Sequence, residues 1–202
     1  MLLFWFRQDD RTLSENRMRK LFLSGHYSEA EDLAERLLRH EPDDMSVAVI
    51  AARCAVHLSR PDDASAVLDR PPFNLSFDDP YFAAGSDRSG ELHDDLVEGL
   101  RLRGLLALNH DYNLRRAEDA LRAVLRLSPE DVPALTNLVR LLAMTGRRRE
   151  AIPPLLRLIR LEQSGDLLVV AARGSAVIRD MDFLENARRR FQNDSRVLAA
   201  FA

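Results

Sequence analysis

A single cysteine, Cys54, serves 202 residues, so the chain can form no intramolecular disulfide and no paired-cysteine metal knuckle, and a reducing compartment is favoured. Lysine is almost as scarce: the 29 basic residues include only Lys20, an arginine bias that fits a GC-rich bacterial coding genome better than selection for guanidinium chemistry. Charge of one sign is lacking too, since 29 basic against 32 acidic side chains leave a net charge of −3. No overall field draws such a chain onto nucleic acid or an anionic bilayer, and neither is expected as a partner. Long apolar runs are missing. Met1-Leu-Leu-Phe-Trp-Phe6 has no basic region before it and runs directly into Arg7 and Asp9, so it is too short for a signal peptide or an integral span. This segment, residues 1–10, is expected to fold over the end of the core, with a partner or lipid-surface anchor as the alternative, and the chain is expected to be cytoplasmic.

Catalytic signatures are absent as well. No HExxH, GxGxxG, GxxxxGK or GxSxG occurs, and His26, His40, His57, His93 and His110 fall near turns or helix ends without a second histidine at ligand spacing. The tightest acidic cluster, His93-Asp94-Asp95, reads as a solvated helix start whose carboxylates complement the helix dipole. Cys54 lies among Val47, Ala48, Ile50, Ala51 and Ala55 and reads as an inert core residue. No enzymatic activity, cofactor or metal site is therefore expected. The 46% hydrophobic and 30% charged composition is that of a globular chain with one ordinary domain or two small ones.

What the chain does contain is an internal period. Ala30 and Ala64 lie 34 residues apart, and so do Ala117 and Ala151. Gly25 precedes Ala30 by five residues, as Gly146 precedes Ala151, while Pro42-Asp43-Asp44 finds its counterpart in Pro129-Glu130-Asp131, each proline twelve residues after its alanine. From Ala64 to Ala117 the distance is 53 residues, one period plus 19, so an insertion interrupts the array. Inside each unit apolar residues recur at three and four, as in Leu33, Leu37, Leu38 and Leu121, Val124, Leu125, which is the period of amphipathic helices. Gly25 and Gly146 supply the turn of a helix hairpin, the small alanines sit where the two helices cross, and Pro42 and Pro129 end the second helix.

On these residues the chain resembles the tetratricopeptide repeat (TPR) family, over units at roughly 11–44, 45–70, 98–131 and 132–165. Ser59 stands for the turn glycine in the second unit and Tyr112 in the third. The resemblance implies an all-α, right-handed α-solenoid of antiparallel helix hairpins: units one and two at 11–70, an aromatic, proline- and glycine-rich insertion with a helix start at 71–97, units three and four at 98–165, and a degenerate fifth hairpin with a C-terminal cap at 166–202. Pro153-Pro154, beyond the first turn of the fourth unit's second helix, predicts that this helix starts late or kinks.

In this family the first helix of each hairpin lines a concave groove that takes peptides or helices, so the resemblance implies a non-enzymatic adaptor or scaffold for a protein partner. Its alternatives are a chaperone or assembly factor of a bacterial secretion or envelope system, or an accessory module of an enzyme complex. Six residues before the turns stand Arg19, Arg53 and Arg140, with Leu106 in the third unit; nine before stand Asn16, Ile50, Arg103 and Asn137. His57 lies two residues before its turn. Arginine and asparagine suit carboxylates and peptide groups, so Asn16, Arg19, Arg53, His57, Arg103, Asn137 and Arg140 are the candidate groove residues and an acidic partner segment is favoured. The insertion rings Phe73, Phe77, Tyr81 and Phe82 are expected to cover surface left by a shortened second-unit helix, and form the secondary candidate site for an apolar partner. Homo-oligomerisation is left open.

Overall fold

The 34-residue spacing becomes a succession of helix hairpins in a computed structural model that describes residues 2–80 and 90–161, the side chains of 2–10, 91, 92, 148, 159 and 160 excepted. Helices α1 (Leu2–Leu23) and α2 (Tyr27–His40) form the first hairpin, α3 (Met45–His57) and α4 (Pro61–Leu68) the second. The third is α5 (Glu91–Asn109) with α6 (Leu114–Leu127), and the fourth α7 (Val132–Met144) with α8 (Arg148–Leu161). Among the described residues there is no strand, and no helix is long and apolar enough to cross a membrane.

Four residues at one register make the turns. Gly25 (φ +81°), Ser59 (+60°), Tyr112 (+51°) and Gly146 (+71°) all occupy the left-handed region, each five residues before one of the buried alanines 30, 64, 117 and 151. The conformation costs Ser59 and Tyr112 about 1–2 kcal/mol that glycine avoids. Three turns close with the same bond, from the backbone N–H of His26 to Leu21 O (2.9 Å), Arg60 to Ala55 O (2.8 Å) and Arg147 to Leu142 O (2.9 Å), which satisfies a carbonyl at the helix end. The third turn is longer: Asn113 N–H reaches back to Ala107 O at 2.9 Å. Asp44 and Asp131, equivalent in the repeat, both cap the next hairpin, accepting from Val47 N (3.1 Å) and Ala134 N (2.8 Å).

The chain divides into two compact units, residues 1–123 and 124–202. In the first, α1 packs on α2, α2 on α3 and α3 on α4, while α3 lies beside both α1 and α5, and α5 beside α4. Met18, Phe22, Ala30, Ala34, Val47, Ile50, Ala51 and Cys54 form one apolar cluster there. Arg11 clasps its edge, donating to Glu15 Oε1 (2.6 Å) and Asp44 Oδ2 (2.5 Å) and pairing with Glu41. In the second unit α7 packs on α8 through Leu135, Leu138, Leu141 and Leu142 on one side and Ala151, Leu155 and Leu158 on the other.

Residues 2–10 belong to α1 in an unbroken helix, since neither glycine nor proline interrupts the chain before Gly25. Of the two alternatives expected at Pro153-Pro154, a late start or a kink, the late start is overturned: α8 begins at Arg148 and carries both prolines inside it. The two prolines remove two backbone donors, but the buried stripe of Ala151, Leu155 and Leu158 keeps the segment helical against α7. Helix α4, by contrast, stops at Leu68 after eight residues, as the proline pair that follows requires. The expected fifth hairpin and cap at 166–202 lie outside the described residues.

Candidate functional site

First helices α1, α3 and α5 lie side by side in the first unit, which places the residues six positions before their turns on neighbouring elements. Arg19 and Arg53 are half-buried there, whereas Leu106 is buried. Arg53 lays its guanidinium over the Phe22 ring at 4.5 Å. His57 stacks on Tyr27 with ring centroids 4.1 Å apart and planes 3° from parallel, and meets Phe22 edge-on at 5.9 Å. Two of the candidate residues, Arg53 and His57, are thus gathered on an aromatic platform of Phe22 and Tyr27 at the turn end of the first two hairpins. Sequence reasoning missed both rings as site residues. Tyr27 opens α2 two residues after Gly25, and only the fold shows that its ring faces His57 from the next hairpin.

The residues nine before the turns separate in character. Asn16 is exposed and Ile50 belongs to the core. In the second unit, Asn137 donates to Pro133 O of its own helix at 2.9 Å, and Arg140 is exposed. Arg103 is buried at 8% exposure, faces Asp69 at 3.6 Å and has no hydrogen-bond partner for Nε. Burial weakens its hold on the proton, against the opposing pull of Asp119 and Asp111. Burial also pushes the Asp119 carboxyl above the usual range, with Arg115 and Arg103 working the other way. Arg116 bridges this set, pairing with Asp69 and donating to Asp111 Oδ2 at 3.0 Å. Arg103 is therefore part of an internal charge network and is not presented to a partner.

The insertion rings divide in the same way. Phe73 is buried at 1% exposure, and its ring fills the space that a side chain at Gly99 of α5 would need. That ring anchors the loop after α4 and is closed to docking. Phe77 is half-buried under Arg122, whose guanidinium lies 5.5 Å from the ring and also pairs with Glu118 at 2.8 Å. Tyr81 and Phe82 lie outside the described residues.

Ion pairing separates the arginines further. Arg11, Arg60, Arg101, Arg103, Arg116, Arg122 and Arg147 all meet carboxylates of this chain. Arg19, Arg53 and Arg140 meet none among the described residues, although 32 acidic side chains are available in the sequence.

Two sequence models described as tetratricopeptide repeat match residues 21–85 and 102–166, together more than half of the chain. The chain belongs to the tetratricopeptide repeat family. Its fold is the all-α hairpin solenoid of TPR proteins, which serve as protein-interaction modules. Among solved structures it is similar to YrrB, a TPR protein described as having an unusual peptide-binding site, at 14% identity and a TM-score of 0.66, covering 93% of this chain and 89% of that one. Similarity extends to MamA of AMB-1 (19% identity, TM-score 0.63, 92% of this chain and 90% of that one) and to a second MamA structure (15%, 0.65, 90% and 91%). At such identities the likeness establishes the fold alone. A comparison with curated proteins returns no match.

Proposed function

We propose that this protein is a non-enzymatic adaptor of the bacterial cytoplasm that holds an acidic segment of a partner protein against its first helices. One observation carries the reading: Arg19 and Arg53 stand at the same register of adjacent helices α1 and α3 and meet no carboxylate among the described residues, while other arginines do. A half-buried guanidinium with free donors suits a carboxylate supplied from outside, in a planar two-point contact. Arg53 is held in place by Phe22, which lowers the entropy lost when a ligand orders it. Asn16 and His57 on the same two helices offer further donors, and Arg140 and Asn137 hold the corresponding registers in the second unit. YrrB, which shares the fold, is described as having a peptide-binding site, which supports a peptide as the ligand.

The test is capture from the native cell with the intact chain as bait, read by mass spectrometry, against the triple substitution Arg19→Ala, Arg53→Ala, Arg140→Ala. Its control is Arg36→Ala with Arg39→Ala, two exposed side chains of α2 that donate to carbonyls of their own helix. The wild type and the control should retain the same partner and the triple variant should lose it while its circular dichroism stays helical. Equal loss from the α2 control would move recognition to another surface.

A further inference from the structure

The first unit carries a second cluster of side chains, which shares Asp111 with the network around Arg116. Asp62 lies in the first turn of α4, and His110 and Asp111 lie in the long turn between α5 and α6. Each offers one ligand atom, and the three atoms lie within 4.8 Å of one another. His110 Nε2 stands 2.9 Å from Asp62 Oδ1, so the ring nitrogen already faces the carboxylate across the two hairpins. We propose that Asp62, His110 and Asp111 bind a divalent transition cation of the zinc class and so clip the second hairpin to the third.

Three features argue for a transition cation. An imidazole nitrogen favours zinc, cobalt, nickel or copper over magnesium or calcium, which prefer oxygen alone. The two carboxylates bring the negative charge that a dication needs, and small rotations bring the donor atoms to the roughly 2.0–2.2 Å radius at which nitrogen and oxygen bind zinc. Asp111 is also oriented from outside the set, accepting from Ser65 Oγ (3.3 Å) and Arg116 Nη1 (3.0 Å), as carboxylate ligands of metals commonly are. Asp62 is 91% exposed and His110 41%, so the ion has a path in from solvent. Three protein ligands leave a fourth position for water.

The arrangement depends on the long third turn. Helix α5 ends at Asn109, three residues before Tyr112, whereas the other first helices end two before their left-handed residue. The added residue lets two consecutive ligands, His110 and Asp111, stand outside the helix. Sequence spacing hides the site, because Asp62 and His110 are 48 residues apart.

The experiment uses the full chain and the metal ion alone. Zinc chloride is titrated by calorimetry and its effect on the melting temperature recorded. Cobalt(II) is then added below one equivalent while the ring protons of the five histidines are followed by NMR. One zinc per chain, a raised melting temperature, and His110 signals shifted before those of the other histidines are expected. Asp62→Asn and His110→Gln, both at exposed positions, should each lower zinc affinity at least tenfold and abolish the thermal shift while leaving circular dichroism unchanged. Zinc binding of wild-type strength in His110→Gln, a different histidine responding first to cobalt, or no uptake by the wild type would each overturn the assignment.

Discussion

The first two hairpins and the third are built on one repeat, yet their candidate groove arginines have different surroundings. In residues 11–68 an apolar cluster runs from Met18 to Cys54, the buried Glu31 pairs with Arg60, and Arg19 and Arg53 meet no carboxylate among the described residues. In the third hairpin Arg103 goes inside, and Asp69, Asp111, Asp119 and Arg116 accompany it. Arg19 and Arg53 stand six residues before their turns and are half-buried, whereas Arg103 stands nine before its turn and is buried. The insertion completes the contrast, because α4 ends early and Phe73 fills the gap against Gly99. Repeat position alone does not fix where a guanidinium goes; the acids and the non-repeating loop around Arg103 draw it inside.

The largest effect should come from the anchor that separates the two regions. Phe73→Ala empties a fully buried ring and should destabilise the protein by about 3–5 kcal/mol in denaturant unfolding. A loss below about 1 kcal/mol would mean that the insertion is not part of the core. Next comes a titration confined to the first two hairpins. Burial pushes the Cys54 thiol from 9.0 up to about 11. Between those values the unfolded thiol ionises while the folded one keeps its proton, so stability should fall as pH rises from 9 towards 11, by up to about 2–3 kcal/mol. Cys54→Ala should lack that part of the slope, and identical pH profiles for the two proteins would show that the thiol is not buried.

The two kinds of arginine give the smaller pair of effects. Arg103→Ala should cost about 1–3 kcal/mol, from lost packing of the side-chain stem and from carboxylates left without their buried counter-charge. Arg53→Ala should cost only about 0.5–1 kcal/mol, the size of an accessible cation–π contact. Equal costs at the two positions would erase the distinction between internal and outward arginines.

Much of this was legible before any coordinates. The 34-residue period located all four turns, including Ser59 and Tyr112 where glycine is missing, because a hairpin needs a left-handed residue there whatever its side chain. Burial of Ala30, Ala64, Ala117 and Ala151 followed from the same register. The fate of Arg103 did not, since it depends on Asp69 and Asp119, which reach it through a non-repeating loop and a different helix. Nor did the Phe22–Tyr27 platform under Arg53 and His57, which joins two hairpins through ring contacts that no local pattern encodes. The proline pair at 153–154 does not delay the start of α8, because the packing of Leu155 and Leu158 outweighs local propensity there.

Arg19 and Arg53, which meet no carboxylate among the described residues, are proposed to hold a carboxylate-bearing ligand. The most direct test is the fluorescence anisotropy of labelled acidic peptides, each a short partner segment found by capture, titrated with the protein at low and at physiological ionic strength. Binding should weaken as salt shortens the reach of the charges, disappear when the peptide carboxylates are replaced by amides, and be lost in the Arg19→Ala, Arg53→Ala pair. Affinity that is indifferent to salt and survives both the amide replacement and the arginine substitutions would contradict the account.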